Sequence, residues 1–300
     1  MHIPANFLST PVWAALDAVS IPSVALLARR ARRELDESRI PLLGVMGAFV
    51  FAAQMINFPV GIGTSGHLVG GALLACALGP APAALVMTAI IAIQAFVFQD
   101  GGVLALGANV FNMAIAGVLA GYLPIQLWGA TSRRRQAIFA GAFLSVMVSG
   151  SLALFELLIS GIPMPRLAIL ASFAVFGVGA LIEGAITVAV TQGIEKLNPG
   201  LVQKSNARSG RAIAALSAAA LLLGGAGFLF ASTAPDGIEK LGAQFGINAA
   251  TSFHAPLADY TLGLFESAWM RKATAGLAGL LLIYAVCLVA GRWVARQRSA

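Results

Sequence analysis

The chain has 300 residues, of which 59% are hydrophobic and only 10% are charged, and its mean hydropathy is +0.87. Soluble globular proteins carry about 25% charged residues, so this composition excludes an ordinary soluble fold. Its apolar blocks of roughly 17–25 residues match the length of helix that crosses a bilayer. The composition therefore predicts an all-α polytopic membrane protein that is embedded in the lipid bilayer.

Nine membrane spans are predicted. In chain order they cover residues 10–28, 40–58, 67–80, 82–98, 103–124, 137–160, 167–193, 212–231 and 273–291. The third span is short and follows the stretch GIGTSGH, so we expect it to begin below the membrane surface, with its preceding loop folded into the protein. The last two spans are joined by a long loop, which suggests a role of its own.

The distribution of basic residues predicts the orientation of these spans. With the N-terminus outside, 15 of the 19 Lys and Arg residues fall on the cytoplasmic side, which is a strong positive-inside bias. This bias accounts for the net charge of +7 without a nucleic-acid partner. The same threading places Met1, loop 59–66 and loop 232–272 outside and the C-terminus in the cytoplasm. No cleavable signal pattern is present, so we expect Met1 to stay on the mature chain.

A polar and basic stretch divides the chain. The sequence KLNPGLVQKSNARSGR at residues 196–211 is rich in turn-forming residues and predicts a cytoplasmic linker. It separates a membrane domain of seven spans, residues 1–195, from a two-span domain, residues 212–300.

The chain has three histidines, His2, His67 and His254, and the threading places all of them at the outer side. A terminal Met-His pair can chelate one ion through the α-amine of Met1, the deprotonated amide nitrogen of His2 and the His2 imidazole. An imidazole from His67 would complete four nitrogens, a set that suits Ni(II) or Cu(II) better than Mg, Ca or Mn. Such binding should weaken as pH falls, because the donors must lose their protons. The alternative is that His67 is a structural histidine at a helix end.

Five polar residues are candidates for orienting these ligands through hydrogen bonds. They are Ser65, Gln94, Asn109, Asn112 and Glu156. The alternative for the amides is hydrogen bonding between helices, and the alternative for Glu156 is a packing role with a partner donor.

Three other sites are assigned no direct part in the metal chemistry. Glu183 is placed too deep in the seventh span to touch an outer site. His254 is expected to be a solvated loop histidine, and the alternative is a transient ligand that passes the metal inward. Asp236 and Glu239, three residues apart, predict the start of a helix.

Several sequence blocks carry a family resemblance. MHIPANFLSTPVW, FPVGIGTSGHLVGG and QDGGVLALGANVFNM resemble the substrate-capture (S) component of nickel/cobalt energy-coupling-factor transporters, the CbiM/NikM family. APDGIEKLGAQFG and APLADYTL resemble the small CbiN/NikN companion, fused here to the same chain. The resemblance implies a seven-span S component of a bacterial or archaeal cell membrane, with the metal held through nitrogen by Met1, His2 and His67. GTSGHLVGG is closer to the nickel-type loop than to the cobalt type, in which Pro-Thr follows the histidine.

Absent motifs limit the mechanism. No G-x-x-x-x-G-K-[ST] motif occurs, so the chain is not itself a standard ATPase, and H-E-x-x-H and G-x-S-x-G are also absent. The resemblance implies that a transmembrane coupling (T) subunit and ATPase subunits supply the energy. The sequence therefore predicts a non-enzymatic capture subunit without a cofactor, whose cargo is Ni(II) or alternatively Co(II). Three alternative functions remain open at this point: a cobalt-specific subunit serving cobalamin synthesis, an intramembrane metal-dependent enzyme, and a scaffold without ligand.

Overall fold

The computed structural model describes residues 1–198, 210–247 and 254–297. Within these residues, seven helices are long and apolar enough to cross a membrane, which confirms the predicted all-α polytopic fold. The α-helices are α1 (Thr10–Glu34), α2 (Ile40–Gln54), α3 (Gly71–Leu78), α4 (Pro80–Ile93), α5 (Leu106–Asn109), α6 (Val118–Trp128), α7 (Arg134–Ile159), α8 (Arg166–Leu197), α9 (Gly210–Ala226), α10 (Gly237–Gln244) and α11 (Ala268–Arg296).

Two π-helical stretches lengthen the central helices. Gln94–Phe98 continues α4, and Val110–Gly117 joins α5 to α6 in one continuous span. The chain also forms a small antiparallel hairpin from β1 (Phe58–Gly61) and β2 (Thr64–Gly66). π-Helical turns are rare and frequently lie at functional sites.

Every predicted span contains helical structure, but two helices are shorter than a full crossing. The predicted span 40–58 ends as a helix at Gln54, because the following chain turns into the hairpin. Helix α3 has eight residues and ends at Leu78, because the next residue, Gly79, has a φ of +89° that breaks the helix before Pro80 starts α4. At 1.5 Å per residue α3 rises only about 12 Å. It is a buried half-span, as the short third segment predicted.

The predicted linker lies largely outside the described residues. Helix α8 continues to Leu197 and α9 starts at Gly210, while residues 199–209 are not described.

The core of the bundle is built around α2, α3 and α4. All eight residues of α3 are buried. By contrast, only 6% of the most apolar stretch of α1 is buried inside the protein, so α1 lies at the periphery. Small residues bring the central helices together: a Cβ on Gly121 would lie 3.0 Å from the Cβ of Ala72, and one on Gly71 would lie 2.8 Å from Oγ of Ser145.

The C-terminal segment, residues 210–297, packs against this core through α9 and α11. A Cβ on Gly276 would collide with the carbonyl oxygen of Gly224, so these two helices cross with their backbones in contact. A Cβ on Gly47 of α2 would lie 2.9 Å from Sγ of Cys287. Helix α10 lies between α9 and α11 in the sequence. With these two helices packed on the core, α10 starts beside the hairpin and the N-terminus.

Candidate metal site

The first residues of the chain are buried inside the bundle, and Asn109 holds them there. The amide N–H of Ile3 donates to Oδ1 of Asn109 at 2.7 Å, and Nδ2 of Asn109 donates to the carbonyl oxygen of Ile3 at 3.1 Å. The N–H of Gly102 donates to the same carbonyl at 2.9 Å. The terminus is therefore an ordered part of the fold.

Two glycines of the QDGG stretch make room for the terminus. Gly101 has φ +89°, and a Cβ there would lie 3.3 Å from the Cβ of His2. A Cβ on Gly102 would lie 2.5 Å from the backbone nitrogen of Ala5. Glycine permits this close approach of two backbones because it has no side chain.

The α-amine of Met1 lies between an imidazole and a carboxylate. It is 2.7 Å from Nε2 of His67 and donates to Oδ2 of Asp236 at 2.7 Å. Nδ1 of His67 lies 2.9 Å from the carbonyl oxygen of Leu68, which fits a proton on Nδ1 and a free lone pair on Nε2. Burial, the terminal ammonium and His2 lower the pKa of His67 to about 3, so its imidazole is neutral, the form that binds metals.

The His2 ring lies beside the ring of His67. The two rings stack with centroids 5.1 Å apart and planes 11° from parallel. The His2 side chain is 3% exposed, and neither ring nitrogen has a well-formed hydrogen bond within the described chain, although Nδ1 lies 3.2 Å from Oδ1 of Asp100. Buried polar atoms normally have a hydrogen-bond partner, so these two nitrogens without one are available as ligands to an ion.

Two carboxylates add negative charge around these nitrogens. Burial alone would raise the pKa of Asp100, but the charge and contact of His2 hold it below its usual range. Burial likewise opposes ionisation of Asp236, yet the terminal ammonium lowers its pKa. The hydroxyl of Tyr260 donates to Oδ2 of Asp100 at 2.5 Å. Burial is the main cause that raises the pKa of this tyrosine, and the negative charge of Asp100 is the second. The site therefore favours a cation.

Side chains alone do not make up a metal site here. Across residues 1–198, 210–247 and 254–297, no group of three or more His, Cys, Asp or Glu side chains is arranged to hold a metal ion. A four-donor site at this position thus needs the terminal amine and the amide nitrogen of His2 as well as the two imidazoles.

Three of the five predicted supporting residues hold elements that border the site. Asn109 binds the N-terminal backbone, as described above. Oγ of Ser65 donates to the carbonyl oxygen of Ala234 at 2.6 Å. Gln94 donates to Oε1 of Gln54 at 2.9 Å, and Gln54 in turn donates to the carbonyl oxygen of Val69 at 2.7 Å.

The other two predicted residues bind each other. Nδ2 of Asn112 donates to Oε2 of Glu156 at 2.8 Å. Within the described residues, neither hydrogen-bonds to Met1, His2 or His67, which fits the alternative of a bond between helices.

Glu183, which was given no metal role, binds the turn that follows His67. Its two carboxylate oxygens accept the backbone N–H groups of Val69 and Gly70, each at 2.7 Å. These residues lie two and three positions after His67, immediately before the short helix α3. The position of Glu183 along its own span did not reveal this contact, because its partners are 114 and 113 positions away in sequence.

Two expectations for loop 232–272, the helix start and the exposed histidine, are confirmed. Asp236 and Glu239 form a capping box at the start of α10. His254 is exposed to solvent. The roles of Asp100, Asp236 and Tyr260 at the site were not predicted, although each lies in a block that carried the family resemblance.

Comparison with known proteins places this arrangement in context. Residues 2–201 match the family model CbiM, described as a cobalt uptake substrate-specific transmembrane region, and residues 210–296 match the PDGLE domain. A putative fused nickel transport protein NikMN of Archaeoglobus fulgidus is 33% identical over 95% of this chain and 96% of its own length. A putative metal transport protein of Haloquadratum walsbyi is 39% identical over 67% of this chain and 93% of its own length.

A solved structure is similar over about two thirds of the chain. The crystal structure of a truncated transition metal transporter has a TM-score of 0.59 and 31% sequence identity, and the match covers 65% of this chain and 99% of that one.

Proposed function

The chain belongs to the CbiM family of substrate-specific transmembrane regions, and from this premise we propose that it captures Ni(II), or alternatively Co(II), as the membrane subunit of a metal importer. The observation that carries the proposal is the meeting of Met1 and the two imidazoles. The α-amine lies 2.7 Å from Nε2 of His67, and the His2 ring stacks on the His67 ring. Residues 66 positions apart thus supply the donors of one compact site.

Four nitrogens form the proposed ligand set: the α-amine of Met1, the amide nitrogen and imidazole of His2, and Nε2 of His67. The amine and the amide must each lose a proton to bind. One divalent ion therefore replaces two protons, and the net charge of the buried site is unchanged. This exchange avoids the cost of placing extra charge in a low-dielectric interior.

Nickel is the first choice of cargo. A tetragonal set of nitrogen donors suits Ni(II). The Archaeoglobus fulgidus relative that spans nearly the whole chain is named as a nickel transport protein, whereas the family description names cobalt. Cobalt is therefore the alternative, and comparison of the two ions belongs in the experiment.

The chain works as one subunit in this proposal. Residues 1–195 form the capture domain, the linker 196–211 lies in the cytoplasm, and residues 212–300 form a second, two-span domain. The site faces outward, as the positive-inside bias of the sequence indicates. A T subunit and ATPase subunits of an energy-coupling-factor module supply the energy, because the chain has no phosphate-binding loop of its own.

Binding of Ni(II) and Co(II) to purified protein with a free N-terminus tests the proposal. Wild type is compared with His2→Ala, His67→Ala and a chain with one residue added before Met1, each carrying any affinity tag at the C-terminus. We expect all three variants to lose most of their affinity, the extended chain because its new amine is displaced from the chelate. Tight binding by the extended chain would refute the terminal chelate, and its matched control is the same residue added after Ala300.

A further inference from the structure

The stretch PDGIEK, residues 235–240 of the C-terminal segment, contacts the hairpin beside His67. The backbone N–H of Ser65 donates to the carbonyl oxygen of Pro235 at 2.9 Å, and Oγ of Ser65 donates to that of Ala234 at 2.6 Å. Nζ of Lys240 donates to the carbonyl oxygen of Ile62 at 2.5 Å. These contacts hold Asp236 at a defined place next to the N-terminus.

The two carboxylate oxygens of Asp236 have different partners. Oδ1 caps α10 by accepting the N–H groups of Ile238 and Glu239, at 2.8 and 2.9 Å. Oδ2 accepts the α-amine of Met1 at 2.7 Å, across 235 positions of sequence. Capping therefore uses one oxygen and leaves the other for the terminus, so the helix start does not by itself explain this aspartate.

We propose that Asp236 is a positioning residue that holds the α-amine of Met1 against His67, so that the C-terminal segment completes a metal site whose donors all lie in the N-terminal part. The inference rests on the proposed function of that site. An amine at a chain end rotates freely about its bonds, and ordering it costs conformational entropy at the moment of binding. A contact that orders the amine beforehand removes part of this cost from the binding step.

The same contact is compatible with a bound ion. A coordinated α-amine keeps two N–H bonds, and one of them can still donate to Oδ2 of Asp236. The carboxylate also contributes a negative charge close to the cation, as Asp100 does beside His2. Asp236 thus supports the donor both before and after the ion arrives.

The substitution Asp236→Asn separates the two roles. The amide oxygen of asparagine can keep the cap on Ile238 and Glu239, and asparagine is among the preferred N-cap residues. The amide NH₂ group then faces the amine of Met1 and cannot accept its hydrogen bond. The matched control is Glu239→Ala. It removes the hydrogen bond that the N–H of Asp236 donates to Glu239 in the capping box, but it leaves the contact between Asp236 and the Met1 amine in place.

The experiment has two measurements on full-length protein with a free N-terminus. The first is the rate at which an N-hydroxysuccinimide ester acylates the Met1 amine of metal-free protein, followed by mass spectrometry of the terminal peptide. The second is the Kd for Ni(II). For Asp236→Asn we expect about tenfold faster acylation and about tenfold weaker binding, the size of one charge-assisted hydrogen bond. For Glu239→Ala we expect changes of less than about twofold in both, since a surface cap bond is weaker.

The outcomes separate this inference from the proposed function. Unchanged acylation in Asp236→Asn, or faster acylation with an unchanged Kd, overturns the positioning role. Equal effects of Asp236→Asn and Glu239→Ala also overturn it, since both would then act through the helix start. A wild-type protein that binds neither Ni(II) nor Co(II) refutes the proposed function, while the acylation result still shows whether Asp236 holds the amine.

Discussion

Replacing Glu183 by glutamine should lower the stability of the protein and weaken Ni(II) binding at the proposed site. The Glu183 side chain is 1% exposed, and its two oxygens accept the N–H groups of Val69 and Gly70. Gly70 has φ +79°, and a Cβ there would lie 2.5 Å from Cγ1 of Val50, so this turn has little freedom to adjust. Glutamine keeps one acceptor and turns an NH₂ group toward the second N–H.

The size of the effect follows from these two bonds. A hydrogen bond to a charged group contributes about 1.5–3 kcal/mol, and a buried N–H without a partner costs about 1–3 kcal/mol. The neutral amide is less costly to bury than the carboxylate, which offsets part of this loss. We expect Glu183→Gln to lower the free energy of unfolding by about 2 kcal/mol and, because His67 precedes the turn, to weaken Ni(II) binding about tenfold.

Unfolding of the detergent-solubilised protein, followed by tryptophan fluorescence, measures the free energy of unfolding. Titration with Ni(II) measures the affinity. Glu156→Gln is the matched control, because Glu156 is also buried, at 3% exposure, and glutamine can still accept the hydrogen bond from Asn112. The reasoning is refuted if Glu183→Gln and Glu156→Gln behave alike in both measurements.

Three further predictions concern the same site. Ni(II) affinity should fall as the pH falls although burial lowers the pKa of His67 to about 3, because the amine and the amide must lose protons to bind; calorimetry in buffers of different ionisation enthalpy should show about two protons released per ion, and a pH-independent affinity would contradict the ligand set. Asn109→Ala removes the two hydrogen bonds to Ile3 and should weaken Ni(II) binding about tenfold, with a loss of about 1–2 kcal/mol of stability; normal affinity would show that the terminus is held without this residue. His254→Ala should leave Ni(II) binding within about twofold of wild type, since this side chain is exposed, and a large loss would assign His254 a part in capture.

The location of the helices could be predicted from composition because it depends on local properties. Long apolar runs separated by charged or turn-forming stretches favour helices at those places wherever the neighbours lie. The Met1 and His2 donors are also local, since the amine and the amide nitrogen belong to consecutive residues. The capping box of Asp236 and Glu239 was predictable for the same reason, because its partners lie within three residues.

The depth of the loops and the pairing of polar groups depended on long-range contacts. The short third segment predicted the buried half-span α3, but it did not predict which side chain would meet the turn after His67, because Glu183 lies 114 positions from Val69. The same limit applies to Asp236 and the terminal amine, which are 235 positions apart.

The sequence by itself determined a helical membrane chain, and it proposed the terminal Met-His pair and a histidine loop of a known family type as the metal ligands. Only the tertiary structure decided that a carboxylate from the C-terminal segment meets the Met1 amine and that Tyr260 binds the aspartate beside His2. The physical reason is that a buried charge must find its partner wherever the packed helices bring one within hydrogen-bonding distance, and that distance is set by the packing of α9 and α11 on the core rather than by neighbours in sequence.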